Sequence, residues 1–337
     1  MKKTILAIIS LSLLLCSCEK EIEFKGKYDG KKIVIYSTVN TMYTLSVRVL
    51  RSFFILRTDT GQDSPFNGLH GAQVTAFVNG SEIPLLEDGA GFFRSRYVPK
   101  PGDEVTVKAS CEGYRPVSAT TVVQERAEFS IEKVEMEERI REDNDYWATK
   151  MRTWDLKVRI RINDKAGVRD FYRLKAYMKD GEFQDDVFAM TRDVIFMNQG
   201  DELETIEGMI NGDDYVYLPE LIDDSMFEGK SYAFDIWFEV NRFNPILYAD
   251  YGVETEEPGE PVPDLELSDM WFEVDALSSD LYKYAKSVED YEIADGGLNS
   301  FFGEKVSIHN NVDGGIGCVG ALTPGIIYLS EPTAPNL

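Results

Sequence analysis

Carboxylates are the most abundant reactive groups in this chain, and three stretches crowd them together: Asp213-Asp214, Asp223-Asp224 and Glu254 to Glu260. Oxygen ligands of this kind suit calcium, and two carboxyls at a fixed separation can hydrolyse a glycoside. None of the stretches has the ligand spacing of an EF-hand loop. With 59 acidic residues in the chain such pairs arise by composition alone, so solvated loop faces are their expected state. Histidine offers less: His70 and His309 are the only two. A zinc site wants several His or Cys at short spacing, and no Gly-x-Ser-x-Gly elbow is present to supply a nucleophile. Gly315-x-Gly317-x-x-Gly320 has the letters of a dinucleotide fingerprint. That motif works only between a buried strand and a helix whose N-terminus faces pyrophosphate, and here fewer than twenty residues follow, Pro324 among them. A glycine-permitted tight turn at a domain seam is expected instead. No cofactor and no metal centre are predicted, and the protein is expected not to be an enzyme.

The four cysteines divide by position. Leu15-Cys16-Ser17-Cys18 closes an uncharged run from Thr4 to Leu15 that follows Lys2 and Lys3. The run falls short of the roughly 20 apolar residues a spanning helix needs and has the form of an export signal. Lipoprotein signal peptidases accept a small side chain before the cysteine, and Cys18 has Ser17 there whereas Cys16 has Leu15. The motif is similar to a lipobox. Residues 1–17 would be the signal peptide, cleavage after Ser17 leaving Cys18 to carry acyl chains whose buried CH₂ groups contribute about 0.8 kcal/mol each. Glu19, Lys20, Glu21 and Glu23 come next, in an acidic tether over 18–30, and resemble the surface-export signal of Bacteroidota lipoproteins. The expected location is the outer membrane, facing the cell surface, with the periplasmic face as the alternative. Cys111 and Cys318 remain for the folded body, where they either pair in an oxidising envelope or stay as two free thiols.

The chain is long enough, at 337 residues with 43% hydrophobic, to bury two cores. Its 35 basic residues leave a net charge of −24, which repels phosphate backbones and excludes nucleic acid as a partner.

The elements that would position these groups are mainly strands. Lys31 to Thr41, Tyr43 to Leu56, Ala72 to Val78, a stretch through Ile83 and Leu85, Phe92 to Tyr97, Val105 to Ala109 and Thr120 to Val123 are short, β-branched or aromatic, and bounded by turn residues. Asn79-Gly80 marks a hairpin. This spacing predicts an immunoglobulin-like β-sandwich over 31–126. A second β-rich sandwich domain with one or two short helices is expected over 127–337, after an acidic, helix-tolerant stretch from Glu125 to Glu142. Its clearest strand puts Trp154, Leu156, Val158, Ile160 and Ile162 on one face and Lys157, Arg159 and Arg161 on the other. After a turn at Asn163 to Gly167, Phe171 to Met178 is expected to run back; further strands are Tyr232 to Val240, Met270 to Val274 and Ile326 to Leu329. A Pro- and Glu-rich loop spans Glu254 to Pro263. Ser278 or Ser279 caps a helix whose apolar positions are Leu281, Tyr284, Ala285, Val288 and Tyr291. Trp147, Trp237 and Trp271 are candidates for a platform that stacks a sugar or a partner, with core filling as the alternative.

Gly71-Ala72-Gln73-Val74, the strands flanking Asn79-Gly80, and Pro101-Gly102-Asp103-Glu104 before an alternating strand resemble the immunoglobulin-like modules of envelope proteins. With the lipobox, Phe171-Tyr172-Arg173-Leu174, the Leu281-Tyr282-Lys283-Tyr284 helix and the closing Asn-x-x-Gly-Gly-x-Gly segment, nearly the whole chain resembles a Bacteroidota lipoprotein family known as domain of unknown function 4249. The resemblance implies an accessory role beside TonB-dependent outer-membrane receptors and carries no catalytic residues. The expected function is a surface-tethered, non-enzymatic accessory or ligand-binding partner of such a receptor in nutrient uptake. A fimbrial or adhesin-type subunit is the alternative, and a carboxylate-dependent hydrolase ranks third.

Overall fold

The β-branched run Ile33–Asn40 forms β1 and turns back through Asn40 to Leu45 into β2 (Ser46–Arg51). In the computed structural model the described residues are 30–52, 68–143, 149–180, 183–187, 189–193, 196, 216–243, 265–295 and 306–330. The signal, Ser17, Cys18, the tether with Glu19, Lys20, Glu21 and Glu23, Trp147, Asp213-Asp214 and the 254–263 loop lie outside them. Next come β3 (Gln73–Val78), β4 (Ser81–Ile83), β5 (Leu86–Glu87), β6 (Phe92–Arg94), β7 (Glu104–Ser110) and β8 (Val117–Val122). They pair as β1-β2-β6-β5 in one sheet and β4-β3-β7-β8 in the other. This is the strand order of an immunoglobulin-type sandwich. Ile33, Ile35, Val47 and Val49 from one sheet meet Ala76, Val105, Val107 and Ala119 from the other.

Two turns fix this sandwich. Asn79 and Gly80 both take positive φ, 50° and 78°, the type I′ geometry that suits a two-residue hairpin between β3 and β4. Beside them the Pro-Gly-Asp turn buries Asp103, whose carboxylate accepts Tyr97 Oη–H at 2.6 Å, Lys100 N–H at 2.8 Å and Asn79 Nδ2–H at 2.8 Å.

The second half is built from β9 (Glu128–Asp143), β10 (Thr149–Asn163), β11 (Phe171–Asp180), β12 (Phe183–Val187), β13 (Met190–Thr191), β14 (Val216–Tyr217), β15 (Leu221–Asp223), β16 (Ser231–Phe243), β17 (Met270–Leu277), α1 (Ser279–Asp295), β18 (Ile316–Thr323) and β19 (Ile326–Tyr328), with a 3-10 turn at Leu267–Asp269. The strands β14-β13-β16-β10-β9 make one sheet. It packs Trp154, Leu156, Val158, Ile160 and Ile162, as the alternation predicts, against Tyr172, Leu174, Phe272 and Val274. The acidic stretch expected to tolerate a helix is strand β9. Its Phe129, Ile131, Val134 and Met136 keep a near-period of two, and fifteen cross-strand pairs to β10 override the helix-forming glutamates. A bulge shifts the register between Arg159 and Ile160, leaving Glu132 unpaired and aimed at both Arg159 and Arg161. β11 does not run back along β10. It crosses to the opposite sheet, where its apolar side chains fill the core from the other side.

The two halves are joined by the end of the chain. β18 lies parallel to β1 from Val34↔Ile316 to Asn40↔Leu322, and its last residues pair antiparallel with β17 at Ala276↔Thr323 and Leu277↔Leu322. A single ten-stranded sheet, whose main path is β12-β11-β17-β18-β1-β2-β6-β5, therefore serves both sandwiches. Val312, Val319 and Ala321, from the region reckoned with the second unit, sit in the first core. The Gly-rich segment consequently makes a tight turn only over Val312 to Gly315, where Gly314 has φ 76°, and from Ile316 it is a strand at the seam that carries Gly317 and Gly320.

Candidate functional site

The outer face of the shared sheet collects most of the unusual chemistry. β11 and β17 set their outward side chains opposite each other in four rows: Phe171↔Leu277, Arg173↔Asp275, Lys175↔Glu273 and Tyr177↔Trp271. The first row is apolar and covered. Ser278 caps α1, its Oγ accepting Leu281 N–H at 3.3 Å and also Ala321 N–H at 2.9 Å from β18. The helix then lays Leu281, Tyr282 and Ala285 over Phe171, Leu277 and Leu322, with Tyr282 stacked on Phe171 at 4.6 Å. Tyr284 leans on Tyr36 instead, and Tyr291 points outward, 47% exposed.

The middle rows are charged. Asp275 is fully buried and its Oδ2 accepts Arg173 Nε–H at 2.8 Å and also Arg173 Nη2–H. Glu273, two residues back on the same face, lies 3.7 Å from Arg173 Nη2. Burial first, and the adjoining Asp275 second, push its carboxyl up to about 7, against the pull of Arg173 and Lys175. Lys175 reaches Glu220 at 3.2 Å.

The last row is aromatic and lies beyond the reach of α1. Tyr177 and Trp271 stack at 5.5 Å and 24°, and Tyr328 of β19, which pairs with Trp271, extends the strip at 6.0 Å with 46% of its surface exposed. Of the three tryptophans considered for a platform, Trp271 stands in this aromatic strip. Trp237 sits on the outer face of the other sheet, between Lys157 at 5.1 Å and Arg192 at 5.9 Å.

A second acidic group forms where the β10–β11 crossing meets the turn after β15. Carboxylate oxygens of Asp164, Asp170 and Asp224 lie within 4.8 Å of one another, a donor set of the kind calcium takes. Asp164 accepts Tyr172 Oη–H and Gly229 N–H, both at 2.7 Å, and Asp224 accepts Asp170 N–H at 2.8 Å. Burial, then Asp164 and Asp224, push Asp170 up to about 6. Asp223 differs from its neighbour: burial opposes its charge, yet bonds from Ser225 and Arg169 hold it below the usual carboxylate range. A cleft of about 160 Å³ adjoins, lined by Gln124, Arg126, Asn163, Lys165, Asp170 and Tyr172.

The remaining predicted residues have structural roles. Cys111 and Cys318 do not meet: the Cys111 thiol faces the His70 carbonyl at 3.6 Å and the buried Cys318 thiol faces the Asp280 carbonyl at 3.7 Å. The disulfide alternative is overturned because β18 carries Cys318 under α1, away from the edge that holds Cys111. Burial pushes the Cys318 thiol up to about 12, which leaves it inert. His70 is exposed; His309 bonds Asp280 Oδ1 at 2.8 Å and ties the segment before β18 to the helix. Gly317 and Gly320 are required by close packing. Gly317 has φ +125° and a Cβ there would lie 1.9 Å from the Ile35 carbonyl, while one on Gly320 would lie 2.5 Å from Leu281 Cβ.

The family model for the domain of unknown function 4249 matches residues 19–325, so it takes in the first sandwich, every strand of the second but β19, the helix and all of β18 with its glycines. The chain belongs to that family. No curated protein matches it. For this member of domain of unknown function 4249, sequence inspection missed the charged rows of the outer face. The signal was present: Arg173 and Lys175 in one apolar strand and Glu273 and Asp275 in another are each spaced by two. What was missing was that these two strands are neighbours.

Proposed function

We propose that the protein is a surface-tethered outer-membrane lipoprotein that acts by binding, as an accessory or ligand-capturing partner of a TonB-dependent receptor in nutrient uptake. The observation that carries this is the strip of Tyr177, Trp271 and Tyr328, held on a sheet shared by two cores and left outside the cover of α1. Aromatic side chains on a rigid backbone bring contact area at low entropic cost and dominate interface energetics. The lipobox at Leu15 to Cys18 supplies the tether, and among the described residues no helix is long and apolar enough to cross a membrane. Net charge of −24 favours recognition of proteins or neutral ligands over nucleic acid.

The test is capture of the tagged full-length protein from gently solubilised native outer membranes, beside Cys18→Ala and Trp271→Ala variants. A stoichiometric β-barrel receptor in the eluate is expected; with Cys18→Ala the lipoprotein itself should be lost from the membrane fraction, and with Trp271→Ala capture of the receptor should weaken at least about thirtyfold, the size of an interface hot spot. Recovery of the lipoprotein alone would overturn the accessory role, and a ladder of copies on unboiled gels would assign it to an adhesin-type subunit.

A further inference from the structure

Asp275 is fully buried, yet only one of its oxygens is served. Oδ2 takes both Arg173 donors, and among the described residues Oδ1 has no hydrogen-bond partner. A buried carboxylate oxygen without a donor is costly. Glu273 is the neighbour that could supply one, since it lies on the same face of β17 and its carboxylate, 3.7 Å from Arg173 Nη2, shares that nitrogen with Asp275. A hydrogen bond between two carboxyl groups requires one proton between them.

We propose that Glu273 holds a proton that it donates to Asp275 Oδ1, and that losing the proton turns Glu273 toward Lys175, so that the β11–β17 pairing beside the seam is a pH-sensitive latch. The groups facing Glu273 are those such a switch needs. β11 presents Arg173 and Lys175, β17 presents Asp275, β19 places Ile326 opposite Glu273, and Glu220 before β15 holds Lys175. α1 covers only the row beyond Asp275, with Leu281, Tyr282 and Ala285. Ionised Glu273 would draw Lys175 from Glu220 and leave Asp275 Oδ1 bare. The effect reaches the seam because β17 runs directly into Ser278, which bonds both α1 and β18. The latch is independent of the tethering and receptor role proposed above.

The sign follows from the raised carboxyl. Glu273 binds its proton more tightly folded than unfolded, so the stability it contributes is whole below its ordinary value of 4.5 and is lost as pH rises to about 7. Carbon-13 NMR of the full chain labelled at glutamate carboxyls should show one glutamate titrating about two units above the others. If every glutamate titrates below about pH 5.5, the latch does not exist. Asp275→Asn should lower that glutamate's titration, leaving only the part that burial sustains; an unchanged high titration would mean burial alone, with no shared proton. Thermal unfolding gives the third arm. Glu273→Gln keeps a donor and cannot ionise, so it should flatten the fall in Tm between about pH 5 and pH 8; a slope equal to the wild type's would overturn the proposal. Asp170, raised to about 6 in the other acidic group, contributes equally to both proteins and cancels in the comparison.

Discussion

Single residues hold this fold at a few points where chemistry and geometry coincide. Asp103 is one, because three donors converge on a carboxylate that is nearly out of solvent. Burial works against its charge, but the bonds from Tyr97, Lys100 and Asn79 win and hold it below the usual carboxylate range. Its contribution is therefore whole above its ordinary value of 3.8 and drains away as pH falls below that. Asp103→Ala should cost about 2–4 kcal/mol in urea unfolding at neutral pH and much less at acid pH, the loss of several charge-assisted bonds. Gly320→Ala tests a different limit. A methyl group there meets the backbone and Cβ of Leu281, which cannot yield without lifting α1, and a loss of about 1–3 kcal/mol is expected.

At the scale of elements, α1 and β18 depend on each other. The Ser278 hydroxyl serves both, accepting from Leu281 at the start of the helix and from Ala321 in the strand. Ser278→Ala should therefore exceed an ordinary cap deletion of about 1 kcal/mol and reach about 2–3 kcal/mol, since a buried N–H in β18 also loses its partner. A loss of 1 kcal/mol or less in chemical denaturation would show that water replaces the hydroxyl. β9 shows how an element escapes prediction. Its glutamates have high intrinsic helix propensity, but the ladder with β10 and the burial of Ile131 decide the outcome, and a window of sequence cannot contain a partner strand.

For the whole molecule, the consequence of the shared sheet is cooperativity. The first core takes Val312, Val319 and Ala321 from the last segment of the chain, and β18 bonds both β1 and β17. Calorimetry of the full protein should show a single transition, with van't Hoff and calorimetric enthalpies in agreement. Removing residues 306–337 should destabilise the immunoglobulin-like sandwich although residues 31–126 remain; two independent transitions in the intact chain would contradict the joint.

Much of this was legible without coordinates. Alternation along Trp154 to Ile162, the Asn79-Gly80 hairpin, a cap at Ser278 or Ser279 and the strand spacing before Val123 each follow from backbone geometry acting over a few residues, so the sequence by itself determined a mainly β protein with an immunoglobulin-like first sandwich and a serine-capped helix. Tertiary structure alone decided that β18 runs beside β1, that the glycines of the apparent nucleotide motif are spacers for Ile35 and Leu281, that the two thiols stay apart, and that Arg173 and Lys175 face Asp275 and Glu273. Those facts join residues about forty to about three hundred positions apart. No local propensity encodes such a pairing, because it is selected only when two cores compete to bury the same strand.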